Sequence, residues 1–191
     1  MFEPEALVFD CDGTLVDTMP AHYRAWREIL DPMGIGFTEA RFYSLGGVPT
    51  REIFRLLTVE LGLALDIERL ARTKEAASAR HLANPQPVPE VVAIARAARG
   101  RLPMAVATGS LRAVAEHALK GIGIHEWFHS VVAAEDVVRH KPAPDIYLLA
   151  AERLGVRANR CRAFEDTDLG LESARAAGME AIDIRLLRGD R

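Results

Sequence analysis

The stretch Ala6-Leu7-Val8-Phe9-Asp10-Cys11-Asp12-Gly13-Thr14 is an apolar run that stops abruptly on two acidic residues one position apart. Ala6–Asp10 reads as a buried strand. Pro103–Ala107, Ser130–Ala134, Arg162–Glu165 and Ala181–Ile184 read the same way. Short apolar runs are ambiguous by periodicity alone, so their flanks decide. Between the second and the fifth, each run is followed by an amphipathic segment. Leu111, Val114, Ala115, Ala118 and Leu119 keep helical spacing, with Ser110 as N-cap and Gly121 as stop. Ile146, Leu149, Ala150 and Leu154 do so before Gly155, and Leu169, Ser173, Ala174 and Ala177 before Gly178. This alternation predicts an α/β fold with a parallel sheet and crossover helices.

The segment directly after the first strand breaks the alternation. From about Asp17 to Pro85 only helical periodicity is present. Met19, Tyr23, Trp26 and Leu30 fall on one face, Ile53, Leu57 and Leu61 on another, and Ile67, Leu70 and Ala71 begin a third. Pro85, Pro87 and Pro89 then close the segment, because successive prolines stop helices and stiffen the chain. A helical insert placed after the first strand is the reading.

Composition excludes several classes. The 191 residues suit one large domain or a core with a smaller insert. With 49% hydrophobic and 27% charged residues the chain is of globular type. A net charge of −3 lacks the basic excess of nucleic-acid or membrane-surface binders. Cys11 and Cys161 lie in apolar runs without CxxC spacing and read as small buried residues. Met1-Phe2-Glu3-Pro4-Glu5 does not open a signal peptide and no run is long enough to span a bilayer, so a cytoplasmic location is expected. His81, His117, His125, His129 and His140 lack metal spacing, and Arg96–Arg101 and Arg185–Arg191 read as solvated faces.

Asp10 and Asp12 carry the first chemical signal. Two carboxylates at the end of a buried strand repel each other, and burial raises the cost. A hard divalent cation relieves it. An ordinary Asp-Gly turn accounts for the same residues, so the signal needs support. Glu165-Asp166-Thr167-Asp168 ends the fourth strand in a second acidic cluster, where Asp166 fits a metal site, Glu165 a coordinated water, and Asp168 a helix N-cap. Thr108-Gly109-Ser110 ends the second strand before a helix, an anion-binding setting that plain capping also explains. Lys141, stiffened between His140 and Pro142-Ala143-Pro144, suits phosphate or carboxylate neutralisation as well as a solvated loop. All four signals fall at the carboxyl ends of inferred strands, where open α/β sheets bind ligands. A metal, an anion cradle, a lysine and a spare aspartate together suit phosphoryl transfer.

Asp10-Cys11-Asp12-Gly13-Thr14-Leu15, Thr108-Gly109-Ser110, Lys141-Pro142 and Glu165-Asp166 together resemble the motifs of the haloacid dehalogenase (HAD) superfamily across the whole chain. The resemblance implies a Rossmann-like three-layer core with a parallel sheet (residues 1–16 and 86–191) and an inserted α-helical cap (residues 17–85). It implies Asp10 as nucleophile, giving an aspartyl-phosphate, and Asp12 as acid and base. It implies Mg²⁺ on Asp10, Asp12 and Asp166, with Glu165 acting through a water. Thr108 and Lys141 are then the phosphoryl-holding pair. Aspartate at position 12 is the choice of the phosphatase and phosphomutase branches.

Within the superfamily the chain resembles the β-phosphoglucomutase-like group, nearest its fructose-1-phosphate (6-phosphogluconate) phosphatase branch. Ala25-Trp26-Arg27-Glu28, Gly47-Val48-Pro49-Thr50, Lys141-Pro142-Ala143-Pro144-Asp145 and Ala174-Arg175-Ala176-Ala177-Gly178-Met179 carry that likeness. It implies substrate contacts at Thr18, His22, Gly47, Thr50, Arg51 and Lys74 in the cap and at Gly109 and Ser110 in the core. Two departures separate the chain from the mutase pattern: Gly46 stands where the mutases have lysine, and Thr50 displaces the arginine to Arg51. The implied activity is Mg²⁺-dependent hydrolysis of a small sugar phosphate by a monomer, without nucleic-acid or membrane partners. A phosphoglucomutase-type isomerase and a non-catalytic phosphometabolite-binding module stand as alternatives. Interconversion without free phosphate marks the former, and absence of turnover the latter.

Overall fold

Ala6–Phe9 forms β1, and each of its four side chains is buried. The computed structural model describes residues 2–188. Met1 and the last three residues of the expected run Arg185–Arg191 lie outside the described residues. In chain order the elements after β1 are α1 (Met19–Leu30), α2 (Glu39–Ser44), α3 (Thr50–Leu61), α4 (Ile67–His81), α5 (Pro89–Ala98), β2 (Met104–Ala107) and α6 (Arg112–Gly121). Then come β3 (Ser130–Val132), α7 (Asp145–Leu154), β4 (Cys161–Glu165), α8 (Asp168–Ala176), β5 (Glu180–Asp183) and α9 (Arg185–Arg188). By contacts the chain divides into two compact units, Met1–Asp17 with Pro85–Arg191, and Thr18–Asn84.

The first unit is a Rossmann-like layered α/β fold built on one sheet of order β3-β2-β1-β4-β5, parallel throughout. Strands buried on both faces need continuous apolar runs, and β1 and β2 supply them. Alternation splits β1 between the faces. Ala6 and Val8 join Ala105, Ala163 and Val132 in a core with Ile146, Tyr147 and Ala150 of α7 and Ala174 of α8. Leu7 and Phe9 point the other way, where Phe9 stacks on Phe164 at 4.8 Å. Register aligns Phe9 with both Val106 and Phe164, so β1, β2 and β4 end level at their carboxyl edge.

Thr18–Asn84 is helical and has its own core. Trp26 and Leu30 of α1 pack with Ile53, Phe54 and Leu57 of α3 and with Leu70 and Ala71 of α4. Phe54 is fully buried, whereas Leu61, expected on the buried face, is exposed at the end of α3. Gly62 caps that helix in the left-handed region. Two expected caps are corrected. Leu111, not Ser110, is the N-cap of α6. Thr167, not Asp168, caps α8, its hydroxyl accepting from the Gly170 N–H at 3.1 Å. Asp168 is the first residue of α8 and pairs instead with Arg185 at 2.7 Å.

Candidate active site

The level strand ends bring Asp10, Thr108 and Glu165 to one edge of the sheet. Asp10 follows β1 directly, and its N–H donates to the Phe164 carbonyl. The chain then turns back on itself, with the Leu15 and Val16 N–H groups donating to the Cys11 carbonyl. Gly13 makes this possible: its φ is +84°, and a Cβ there would run into the Asp166 carboxylate. Thr14 donates to Asp166 Oδ1 at 2.9 Å and fixes that carboxylate against the turn.

Lys141 enters from the loop after β3 and is almost completely buried. Its ammonium donates to Asp10 Oδ1 at 2.7 Å, Glu165 Oε1 at 2.5 Å and the Ala107 carbonyl at 3.1 Å. The Tyr147 ring lies 5.2 Å from Nζ, and its hydroxyl donates to Glu165 Oε1 at 3.1 Å. Glu165 Oε2 accepts from the N–H groups of Asp166 and Thr167 and from the Thr167 hydroxyl, each at 3.0 Å. A water bound at Glu165 would share oxygens on which these donors already sit. Gly170 is a consequence, because any Cβ at that position would collide with the Glu165 carboxylate.

Asp12 presents one oxygen, Oδ2, to two hydroxyls. Ser110 donates to it at 2.6 Å and Thr108 at 3.2 Å. Thr108 in turn accepts from the Ser110 N–H at 3.0 Å. Ser110 is therefore freed from capping α6 to orient Asp12. Gly109, between them, is exposed.

Charge is out of balance here. One ligand atom each from Asp10, Glu165 and Asp166 lie within 4.8 Å of one another, and the Lys141 ammonium pairs with two of these carboxylates. Burial pushes the Asp10 carboxyl well above its usual range, Lys141 opposes it, and the Glu165, Asp166 and Asp12 carboxylates each add a smaller push upward. Burial and the Glu165 charge push Asp166 up to about 7. Burial works against the charge on Lys141, but Asp10 and Glu165 outweigh it and hold its pKa well above the ordinary lysine value. An all-oxygen donor set with excess negative charge fits a hard divalent cation.

A model of the haloacid dehalogenase-like hydrolases matches residues 4–178. The chain belongs to this family. This hydrolase is 46% identical over 190 residues to the fructose-1-phosphate phosphatase YqaB of Escherichia coli, covering 98% of this chain and 100% of that one. It is 32% identical over 182 residues to a phosphorylated carbohydrates phosphatase of Thermotoga maritima, covering 93% of this chain and 83% of that one. The β-phosphoglucomutase of Clostridium difficile shares the fold, with a TM-score of 0.84 at 24% identity over 98% of this chain and 88% of that one.

The hydrolase's other predicted residues lie in the helical unit. Thr18 is the N-cap of α1, and its buried hydroxyl has no hydrogen-bond partner among the described residues. His22 Nδ1 lies 2.9 Å from Lys74 Nζ, with both side chains buried. An ammonium has no lone pair, so Nδ1 accepts and the ring proton sits on Nε2. Lys74 also donates to Glu75 Oε1 at 3.3 Å, which accepts from the Thr50 hydroxyl at 2.6 Å. Gly47 occupies the turn before α3. Arg51 is exposed and pairs with Glu68 at 3.0 Å.

Sequence reasoning gave no role to Thr14, Tyr147 or Glu75. A tyrosine on the apolar face of α7, just past Lys141, was a usable signal, since a buried phenol must find a partner. Glu75 gave none, because adjacent helical residues are not expected to face each other.

Proposed function

We propose that the hydrolase is a Mg²⁺-dependent phosphatase acting on a small sugar phosphate through an aspartyl-phosphate. The buried contact of Asp10 with Lys141, beside an Asp12 oriented by two hydroxyls, is the observation that carries this reading. A buried carboxylate with a lysine at one oxygen is held for attack, and a second carboxylate on hydroxyls is held for proton transfer.

Asp10 attacks phosphorus, and the bond to the sugar oxygen breaks as Asp12 gives that oxygen a proton. Asp12 then takes a proton from the water that attacks phosphorus and releases Asp10. Lys141 and Thr108 hold the phosphoryl oxygens in both steps. The residues that would hold the cation are Asp10, Asp12 and Asp166, with Glu165 reaching it through a water. When bound, Mg²⁺ supplies the positive charge that the carboxylates lack and that the transferring oxygens need.

Two sugar-phosphatase relatives support the substrate class. In the helical unit His22, Thr50 and Lys74 are the substrate contacts we favour. A phosphosugar panel tests the reading. Inorganic phosphate should appear from fructose 1-phosphate or a related hexose phosphate only with Mg²⁺, and Asp10→Asn should abolish it. Release by Asp10→Asn at the wild-type rate, or no release from any member, would sink it. Interconversion of hexose phosphates faster than release would favour an isomerase.

A further inference from the structure

Lys141 has every ammonium proton engaged. The three go to Asp10 Oδ1 at 2.7 Å, Glu165 Oε1 at 2.5 Å and the Ala107 carbonyl at 3.1 Å. The loop that carries the lysine is pinned by α8, where the fully buried Ser173 hydroxyl donates to the Ala143 carbonyl at 2.6 Å. To hold a phosphoryl oxygen, the lysine side chain must therefore turn one proton away from a partner it already has.

Which bond yields follows from what each acceptor keeps. The Asp10 bond holds the attacking carboxylate, so it stays. Glu165 Oε1 has a second donor, the Tyr147 hydroxyl at 3.1 Å, and Oε2 takes three more from the Asp166 and Thr167 N–H groups and the Thr167 hydroxyl. Glu165 thus keeps four donors after the ammonium turns, and about two or three such bonds hold a buried carboxylate in its charged form. On Oε1 itself the donor that stays is Tyr147. Without that hydroxyl the buried oxygen would be left bare, and a bare buried acceptor is costly. Tyr147 is fully buried on α7, and the proposed chemistry gives its hydroxyl no other task.

We propose that Tyr147 is a positioning residue for Lys141. By keeping a hydrogen bond on Glu165 Oε1, it lets the ammonium turn from Glu165 to an incoming phosphoryl oxygen and back. The proposal rests on the reading of Lys141 as a phosphoryl-holding residue.

Tyr147→Phe tests it, because this change keeps the ring beside the ammonium and removes the hydroxyl alone. The probe is inorganic phosphate, titrated by calorimetry into the Mg²⁺-loaded protein. Its Kd should rise about tenfold, and kcat/KM for fructose 1-phosphate should fall by a similar factor, the scale of one hydrogen bond to a charged group. A purely structural role predicts a lower Tm with an unchanged Kd, and that result overturns the proposal. A double-mutant cycle locates the effect. In a Lys141→Met background, Tyr147→Phe should change kcat/KM by less than about twofold. An undiminished loss in that background overturns the proposal. If Tyr147→Phe does not fold, wild-type protein isotope-labelled at tyrosine Cζ answers by NMR. The Tyr147 signal should shift when phosphate binds, and a signal that stays in place overturns the proposal. Wild-type protein that neither binds phosphate nor releases it from any phosphosugar would instead remove the phosphatase reading, and this proposal with it.

Discussion

Each unit buries a lysine beside a carboxylate, but at the sheet edge several carboxylates crowd one ammonium. At the sheet edge Lys141 faces Asp10 and Glu165 directly, with Asp166 close by, so negative charge is in surplus. In the helical unit Lys74 pairs with Glu75 and lies beside His22 and the Trp26 ring. A surplus of buried carboxylate is costly unless something positive arrives. The sheet edge is therefore built to recruit charge, which suits chemistry on a phosphoryl group.

The largest effect should come from deepening the surplus. Lys141→Met removes the ammonium that touches Asp10, Glu165 and the Ala107 carbonyl. Loss of one preorganised donor at a developing charge costs about 100- to 1,000-fold in kcat. Stability should also fall, by about 3 kcal/mol, because buried carboxylates lose their partner. Phosphate release and chemical denaturation measure the two. A kcat within threefold of wild type would mean that Lys141 is only structural.

Supplying charge should act next, with a definite pH dependence. Asp166 has its pKa raised to about 7 from an ordinary 3.8, chiefly by burial and then by Glu165. The folded, metal-free protein thus binds that proton more tightly than the unfolded chain. The resulting stability is present below about pH 4 and lost as pH rises through about 7. The Tm of metal-free protein should fall between pH 5 and pH 8. Mg²⁺ at about 100 times its Kd should restore about 5–10 °C at pH 8 and clearly less at pH 5, where it competes with the proton. Thermal melts with and without Mg²⁺ at both pH values check this. An equal Mg²⁺ effect at both would break the idea of a charge-starved edge.

The same contrast explains what the sequence revealed. Strand ends in a parallel sheet share one edge, so Asp10, Thr108, Lys141 and Glu165 could be placed together from chain order alone. The apolar runs of β1 and β2 and the glycine stops after α7 and α8 made that order readable, whereas Gly121, expected to stop α6, is its last residue. The caps were not readable, because Ser110 can serve a helix or a carboxylate and only the three-dimensional position of Asp12 decides. The helical cluster was harder still. Lys74 and Thr50 lie 24 positions apart, and Glu75 joins them through a packing of α3 on α4 that no local pattern encodes. Tyr147 shows an intermediate case: its burial was readable, its partner Glu165 was not.

The smallest effect should come from Arg51. It pairs with Glu68 across α3 and α4, but both side chains are 55% exposed. Exposed pairs contribute about 0–1 kcal/mol, because water screens them and ordering two long side chains costs entropy. Arg51→Ala should therefore change stability by less than about 0.5 kcal/mol. With its guanidinium engaged by Glu68 and facing water, Arg51 should also matter little to a monophosphate, and kcat/KM for fructose 1-phosphate should stay within about threefold of wild type. Fructose 1,6-bisphosphate sharpens the comparison. If Arg51 supplied a distal phosphate grip, Arg51→Ala would lower kcat/KM for the bisphosphate about tenfold while sparing the monophosphate. The helical unit would then read a distal anion through Arg51, and an exposed, paired guanidinium would matter to recognition after all.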